Sequence, residues 1–135
     1  MKLFDILFAM KVKGINHVEL SVTDLQRSKN YYEKLPNFKI VAEYPNFIMF
    51  SCGDFRLGLT DHAGKLTSHT FSEYNIGLDH ISFTLASSED LDEALAWLNE
   101  HNIPHGEIKI LSNNSKVLAF RDPDNIQLEF TYKPE

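Results

Sequence analysis

The run Ile15-Asn16-His17-Val18-Glu19-Leu20-Ser21-Val22 returns as Leu78-Asp79-His80-Ile81-Ser82-Phe83-Thr84-Leu85, matched position for position in kind, and each copy leads into a helix-capping signal. Such a duplication constrains the architecture before any local propensity is read, because each copy must form the same unit and bury its apolar face against its neighbour. Both runs alternate apolar and polar residues, the period of a half-buried strand. The polar side chain identical in both is a histidine, so His17 and His80 are candidate metal ligands pointing the same way from equivalent strands.

The far ends of the two halves correspond as well. Arg56-Leu57-Gly58-Leu59-Thr60 aligns with Gln127-Leu128-Glu129-Phe130-Thr131, which puts Glu129 where the first half has Gly58. Two modules packed about a pseudo-two-fold would bring His17, His80 and Glu129 into one cavity, in a single concave sheet or across a dimer interface. Two imidazoles and one carboxylate form a metal site with open positions, of the kind that binds and activates oxygen-donor substrates. Gly58 is expected to leave room beside the ion for water or substrate.

Other candidates follow from strand periodicity. Glu19 lies two residues beyond His17 on the same face, as a catalytic base or a fourth ligand. Arg56 and Gln127 lie two residues before the Gly58 and Glu129 positions, so they are candidate substrate-binding residues, Arg56 for a carboxylate. Phe47 and Met49 are candidate apolar walls. A lone strand histidine is usually a hydrogen-bonded core or edge residue; the repetition is what turns His17 and His80 into ligand candidates. His62, His69, His101 and His105 fall in connections or helix ends, outside the ligand set.

The 135 residues suit one compact domain or two small modules sharing a core. A formal net charge of -6 without a basic run weighs against nucleic acid and anionic membranes and favours a small-molecule partner. Cys52 is the one cysteine, which excludes an intramolecular disulfide, suits a cytoplasmic setting and reads as a small buried hydrophobe. Residues 1–13 form an N-terminal extension, too short in its apolar part to span a membrane, and read as an upstream start or a packing arm.

Residues 15–22 are the first strand, and Thr23-Asp24-Leu25-Gln26 is a capping-box pattern for a helix ending at Pro36-Asn37. Strands follow at 38–44, 47–52 and 55–60, the last two joined across Gly53-Asp54. Residues 63–77 connect the first module, 14–62, to the second, 78–135. There a helix begins near Ser88, with strands at 107–111, 116–121 and 126–132. The expected class is α+β: two tandem βαβββ modules forming a concave mixed sheet.

A doubled strand-helix-three-strand unit, with histidine in each first strand and Phe120-Arg121-Asp122-Pro123-Asp124-Asn125-Ile126-Gln127-Leu128-Glu129 near the end, resembles the vicinal oxygen chelate superfamily. That group includes glyoxalase I, extradiol dioxygenases, methylmalonyl-CoA epimerase, fosfomycin-resistance transferases and bleomycin-resistance proteins. The resemblance implies a glyoxalase-like fold and a homodimer. It also implies one divalent ion, Fe, Mn, Zn or Ni, held by His17, His80 and Glu129. Three positions depart from named relatives. Gly58 replaces the glutamate or glutamine of glyoxalase I and the epimerase, Ala119 the tyrosine of the extradiol enzymes, and Glu19 the threonine of the fosfomycin transferases. The function implied is a metal-dependent lyase, isomerase or dioxygenase; the alternative is a non-enzymatic small-molecule or drug-binding protein of the bleomycin-resistance type.

Overall fold

The computed structural model describes residues 10–135, so an arm role for the first nine residues lies outside the described part. The first module runs β1 (Val18–Ser21), α1 (Leu25–Glu33), β2 (Lys39–Tyr44), β3 (Phe47–Cys52) and β4 (Phe55–Thr60). A short 3-10 turn, His62–Gly64, opens the connection. The second module runs β5 (Ile81–Thr84), α2 (Ser88–Glu100), β6 (Lys109–Ile110), β7 (Lys116–Arg121) and β8 (Gln127–Tyr132).

The expected mixed sheet is realised as two four-stranded sheets of identical topology, β1-β4-β3-β2 and β5-β8-β7-β6. The first and last strands of each module pair in parallel, with Glu19 opposite Gly58 in one and Ser82 opposite Glu129 in the other. The remaining ladders are antiparallel. Cys52 and Phe55 close the β3-β4 hairpin, where Gly53 takes the positive φ of 58° that a two-residue turn needs at its first position.

Alternation decides which face is buried. Leu57, Leu59, Leu128 and Phe130 turn toward the helices, with Leu91 and Leu98 of α2 and Tyr32 and Leu35 beyond them, in one core that spans both modules. The other face carries His17, Glu19, Ser82, Gln127 and Glu129 and is partly open to solvent. Phe83 joins the halves, edge-on to Phe38 at 5.3 Å and to Phe55 at 6.0 Å between ring centroids.

Several boundaries differ from the sequence expectation. The N-cap of α1 is Asp24, whose side chain accepts from the Arg27 N–H, so Thr23 and Gln26 do not form the expected capping box. The reason is tertiary: Thr23 donates its hydroxyl and its N–H to the Asp124 carboxylate in the other module. The helix ends at Glu33 because a 3-10 bond from Leu35 N–H to Tyr32 O tightens the last turn and Asn37 then turns left-handed. The strand expected over 107–111 shrinks to the edge pair Lys109–Ile110, and the first strand begins only at Val18.

That tertiary link belongs to a larger seam. Tyr31 donates to the Arg121 carbonyl, and the fully buried Tyr32 donates to Asp122 at 2.8 Å. Asp122 also accepts from the N–H groups of Asp124 and Ile126, so one buried carboxylate holds together the Asp122–Asn125 turn and the first helix. Burial raises its pKa above the ordinary carboxylate value, opposed by the Tyr32 hydroxyl and the two amides.

Candidate metal centre

Each histidine stands one residue ahead of its strand and is oriented by the residue before it. His17 Nδ1 lies 2.7 Å from Asn16 Oδ1 and His80 Nδ1 lies 2.6 Å from Asp79 Oδ1. With Nδ1 so engaged, Nε2 is the ring nitrogen left to meet an ion or a carboxylate in both copies. The carboxylates then approach the same ring nitrogen: Glu19 Oε1 lies 3.3 Å from His17 Nε2, and Glu129 Oε1 lies 3.8 Å from His80 Nε2.

Those separations have a simple meaning. Two ligands on one ion with bonds of about 2.1 Å stand about 3.0 Å apart at right angles and about 3.4 Å apart in a tetrahedron. The 3.3 Å pair has the spacing of neighbouring ligands and the 3.8 Å pair is wider, so the residues fit a divalent ion in kind and the first pair fits it in spacing as well. Among the described residues, however, one chain assembles no group of three or more His, Cys, Asp or Glu side chains around a common point. The donors stand as two half-sites.

Around His17 the structure gathers Glu19, Gly58, Phe47 and Met49. Met49 faces Gly58 across the β3-β4 ladder and Glu19 faces it across β1-β4. The open space expected at Gly58 is filled: a Cβ built there would lie 2.5 Å from Glu19 Cγ and 2.9 Å from Phe47 Cε2. No spacing along the chain reports this, because the side chain over residue 58 comes from the neighbouring strand. Arg56, half-buried on the same face of β4, makes no ion pair with any described residue.

Gln127 is in the other half. Its amide donates to Asp79 Oδ1 at 3.0 Å while Arg121 donates to its carbonyl oxygen at 3.4 Å. Arg121 is held in turn by a two-pronged pair with Glu73, at 2.7 and 3.1 Å. Hydrogen bonding to Arg121 keeps the Glu73 carboxyl below its usual range. Thr131 donates to Glu129 Oε1 at 3.0 Å and is bonded to Ser82. Asn16, Asp79, Thr131, Arg121 and Glu73 were not singled out in the sequence. Asn16 and Asp79 carried a signal, since each precedes the histidine of its repeat.

The Glu73-Arg121-Gln127-Asp79-His80 chain predicts a result. Gln127→Leu removes the donor that holds the Asp79 carboxylate, and the expected loss of ion affinity is about 10-fold or more, the usual scale for an outer partner of a ligating histidine. Calorimetric titration with Zn2+ or Mn2+ checks it; unchanged affinity would detach this chain of hydrogen bonds from ion binding.

Cys52 lines a separate cavity of about 430 Å³ with Phe38, Phe83, Trp97 and Phe130, away from both half-sites. Burial raises its thiol pKa, which disfavours the reactive thiolate.

A doubled βαβββ fold with paired histidine and glutamate donors is the framework of metal-dependent enzymes that act on small molecules. This chain belongs to the Glyoxalase/Bleomycin resistance protein/Dioxygenase superfamily, whose family model matches residues 14–130. It is 29% identical over 119 residues to a protein named metallothiol transferase FosB from Staphylococcus saprophyticus, covering 87% of this chain and 76% of that one. A glyoxylase/bleomycin resistance protein/dioxygenase domain from Frankia sp. EAN1pec superposes with a TM-score of 0.77 at 30% identity, over 93% of this chain and 95% of that one. The fold is also that of a fosfomycin resistance protein, FosX, from Listeria monocytogenes complexed with Mn(II) and sulfate, with a TM-score of 0.75 at 17% identity over 92% and 93% of the chains.

Proposed function

We propose that this protein is a divalent-metal-dependent transferase or lyase acting on a small molecule that offers oxygen atoms to the ion, and that it works as a homodimer. The observation that carries the reading is the pair of half-sites, each with an imidazole nitrogen facing a carboxylate oxygen, at 3.3 Å in one and 3.8 Å in the other. His17, His80 and Glu129 would hold the ion, with Glu19 beside His17. A nitrogen-and-oxygen donor set without thiolate suits Mn, Fe, Zn or Ni. The resemblance to a metallothiol transferase and the Mn(II) in a protein of the same fold support this choice of chemistry.

The dimer follows from incompleteness, since one chain brings together only two donors at each place among the described residues. Apolar side chains border both histidine segments without cover: Ile15 is 78% exposed, Tyr74 91% and Ile76 fully so. A second copy would bury them and bring one chain's His17 half-site to the other's His80 half-site.

When bound, the ion supplies a Lewis acid that polarises a substrate oxygen. The chain's own residues do the rest. Arg56 offers two N–H donors to an acidic group of the substrate. Phe47 and Met49 exclude water from one side, which strengthens the electrostatics within. Asp79 and Asn16 hold the imidazoles so that Nε2 faces inward, and Gln127 holds Asp79.

Protein purified without a chelator or histidine tag is expected to carry about one divalent ion per chain by elemental analysis and to sediment as a dimer. Ion-free protein that takes up none of Mn2+, Fe2+, Zn2+ or Ni2+ would overturn the reading and favour a drug-binding protein of the bleomycin-resistance type.

A further inference from the structure

We infer that Glu19 is a fourth protein ligand to the same ion, a carboxylate that has changed strands between the two modules. The inference rests on the metal-dependent reading above and deepens it. In the second module the carboxylate, Glu129, stands on the last strand, β8, and its parallel neighbour on β5 is the small Ser82. In the first module the arrangement is inverted. The carboxylate, Glu19, stands on the first strand, β1, and its parallel neighbour on β4 is Gly58. Both carboxylates nonetheless reach the Nε2 of their own module's histidine, at 3.3 and 3.8 Å.

Gly58 is what makes the inversion possible. The Glu19 side chain crosses directly over it, with Cγ 2.5 Å from where a Cβ would sit, closer than real Cβ contacts allow. Any side chain at 58 would push Glu19 off this path or move Phe47, whose Cε2 would be 2.9 Å away. The Glu19 carboxylate therefore arrives over residue 58 from the side, where a longer side chain on β4 would have arrived from below. The histidines come with matched partners, Asn16 and Asp79, so the two modules present the same nitrogen and the same kind of oxygen by different routes.

A catalytic base would serve best with its oxygens free to meet substrate, yet Glu19 Oε1 lies against the coordinating nitrogen at ligand spacing. That contact separates the two roles first considered for it. Two imidazoles and two carboxylates would hold the ion with capacity left for a substrate that offers two oxygens.

The experiment uses the full chain and Mn2+ alone, reading free Mn2+ by electron paramagnetic resonance and the waters on bound Mn2+ by proton relaxation. Glu19→Ser, which copies Ser82, is expected to weaken Mn2+ binding by more than about tenfold and to add about one exchangeable water to the ion. Glu19→Ser/Gly58→Glu, combined with Phe47→Ala to clear the ring carbon 2.9 Å from a Cβ at 58, returns a carboxylate to β4 and is expected to recover most of that loss and expel the added water. Glu19→Gln, which keeps the side chain's size and removes its charge, repeats the measurement should the serine variant fail to fold.

Wild-type affinity and water count in a folded Glu19 variant, with His80→Ala losing Mn2+, would overturn the inference and leave the metal-dependent reading standing. A folded triple variant that binds no more tightly than Glu19→Ser/Phe47→Ala would overturn the shared location. Failure of the wild type itself to bind Mn2+ or Zn2+ would remove both.

Discussion

His80→Ala is expected to empty the metal centre and to lower turnover by at least about a thousandfold, which corresponds to about 4 kcal/mol of lost transition-state stabilisation. On the metal-dependent reading the ring would contribute one of two nitrogen donors, and its Nε2 faces Glu129 Oε1 at 3.8 Å. Alanine leaves Glu129 tied to Thr131 alone, and Asp79 loses the imidazole that it orients. A Lewis acid contributes several kcal/mol, so its loss accounts for a change of this size without any disturbance of the fold. Elemental analysis, ion titration and circular dichroism check the three parts separately. His101→Ala is the control, because that imidazole caps α2 through the Trp97 carbonyl and takes no part in the centre. Native metal content in His80→Ala would exclude the ligand assignment.

Asp122→Ala is expected to lower the free energy of unfolding by about 3 kcal/mol, because hydrogen bonds to a charged acceptor contribute about 1.5 to 3 kcal/mol each and are not additive. The carboxylate receives the Tyr32 hydroxyl and the N–H groups of Asp124 and Ile126, and Tyr32 is wholly buried, so its hydroxyl would be left without a partner. Urea unfolding measures the loss; a change below about 1 kcal/mol would mean that water replaces the carboxylate.

The pH dependence has a definite sign. Burial raises the folded-state pKa of Asp122 above 3.8, so between 3.8 and that raised value the folded chain binds more of this proton than the unfolded chain does. The contribution of Asp122 to stability therefore grows as pH falls through that window and diminishes as pH rises through it. Asp122→Asn should remove this component from the pH profile.

Much of the architecture was legible because a repeated pattern carries its own check. The alternation around His17 and again around His80 had to mean the same kind of strand, and the two sheets share one topology. Helix α2 begins with Ser87 as its cap at the expected place because its signals are local. What escaped was non-local. The cap of α1 moved from Thr23 to Asp24 because a carboxylate 101 residues away claimed the threonine. Gly58 read as open space because nothing in its own strand says that Glu19 lies across it. Gln127 also holds Asp79, a contact set by cross-strand geometry that no spacing along the chain reports.

The seam between the modules bears on how the molecule comes apart. Tyr31, Tyr32, Thr23 and Arg27 of the first half are bonded to the Arg121–Asp124 stretch of the second, and the apolar interior runs through both. Neither copy can open while its twin stays intact, since parting them strands a buried tyrosine hydroxyl and a buried carboxylate at once. Two repeated units therefore behave as one cooperative element, and slow amide exchange should follow the same clock in the two sheets.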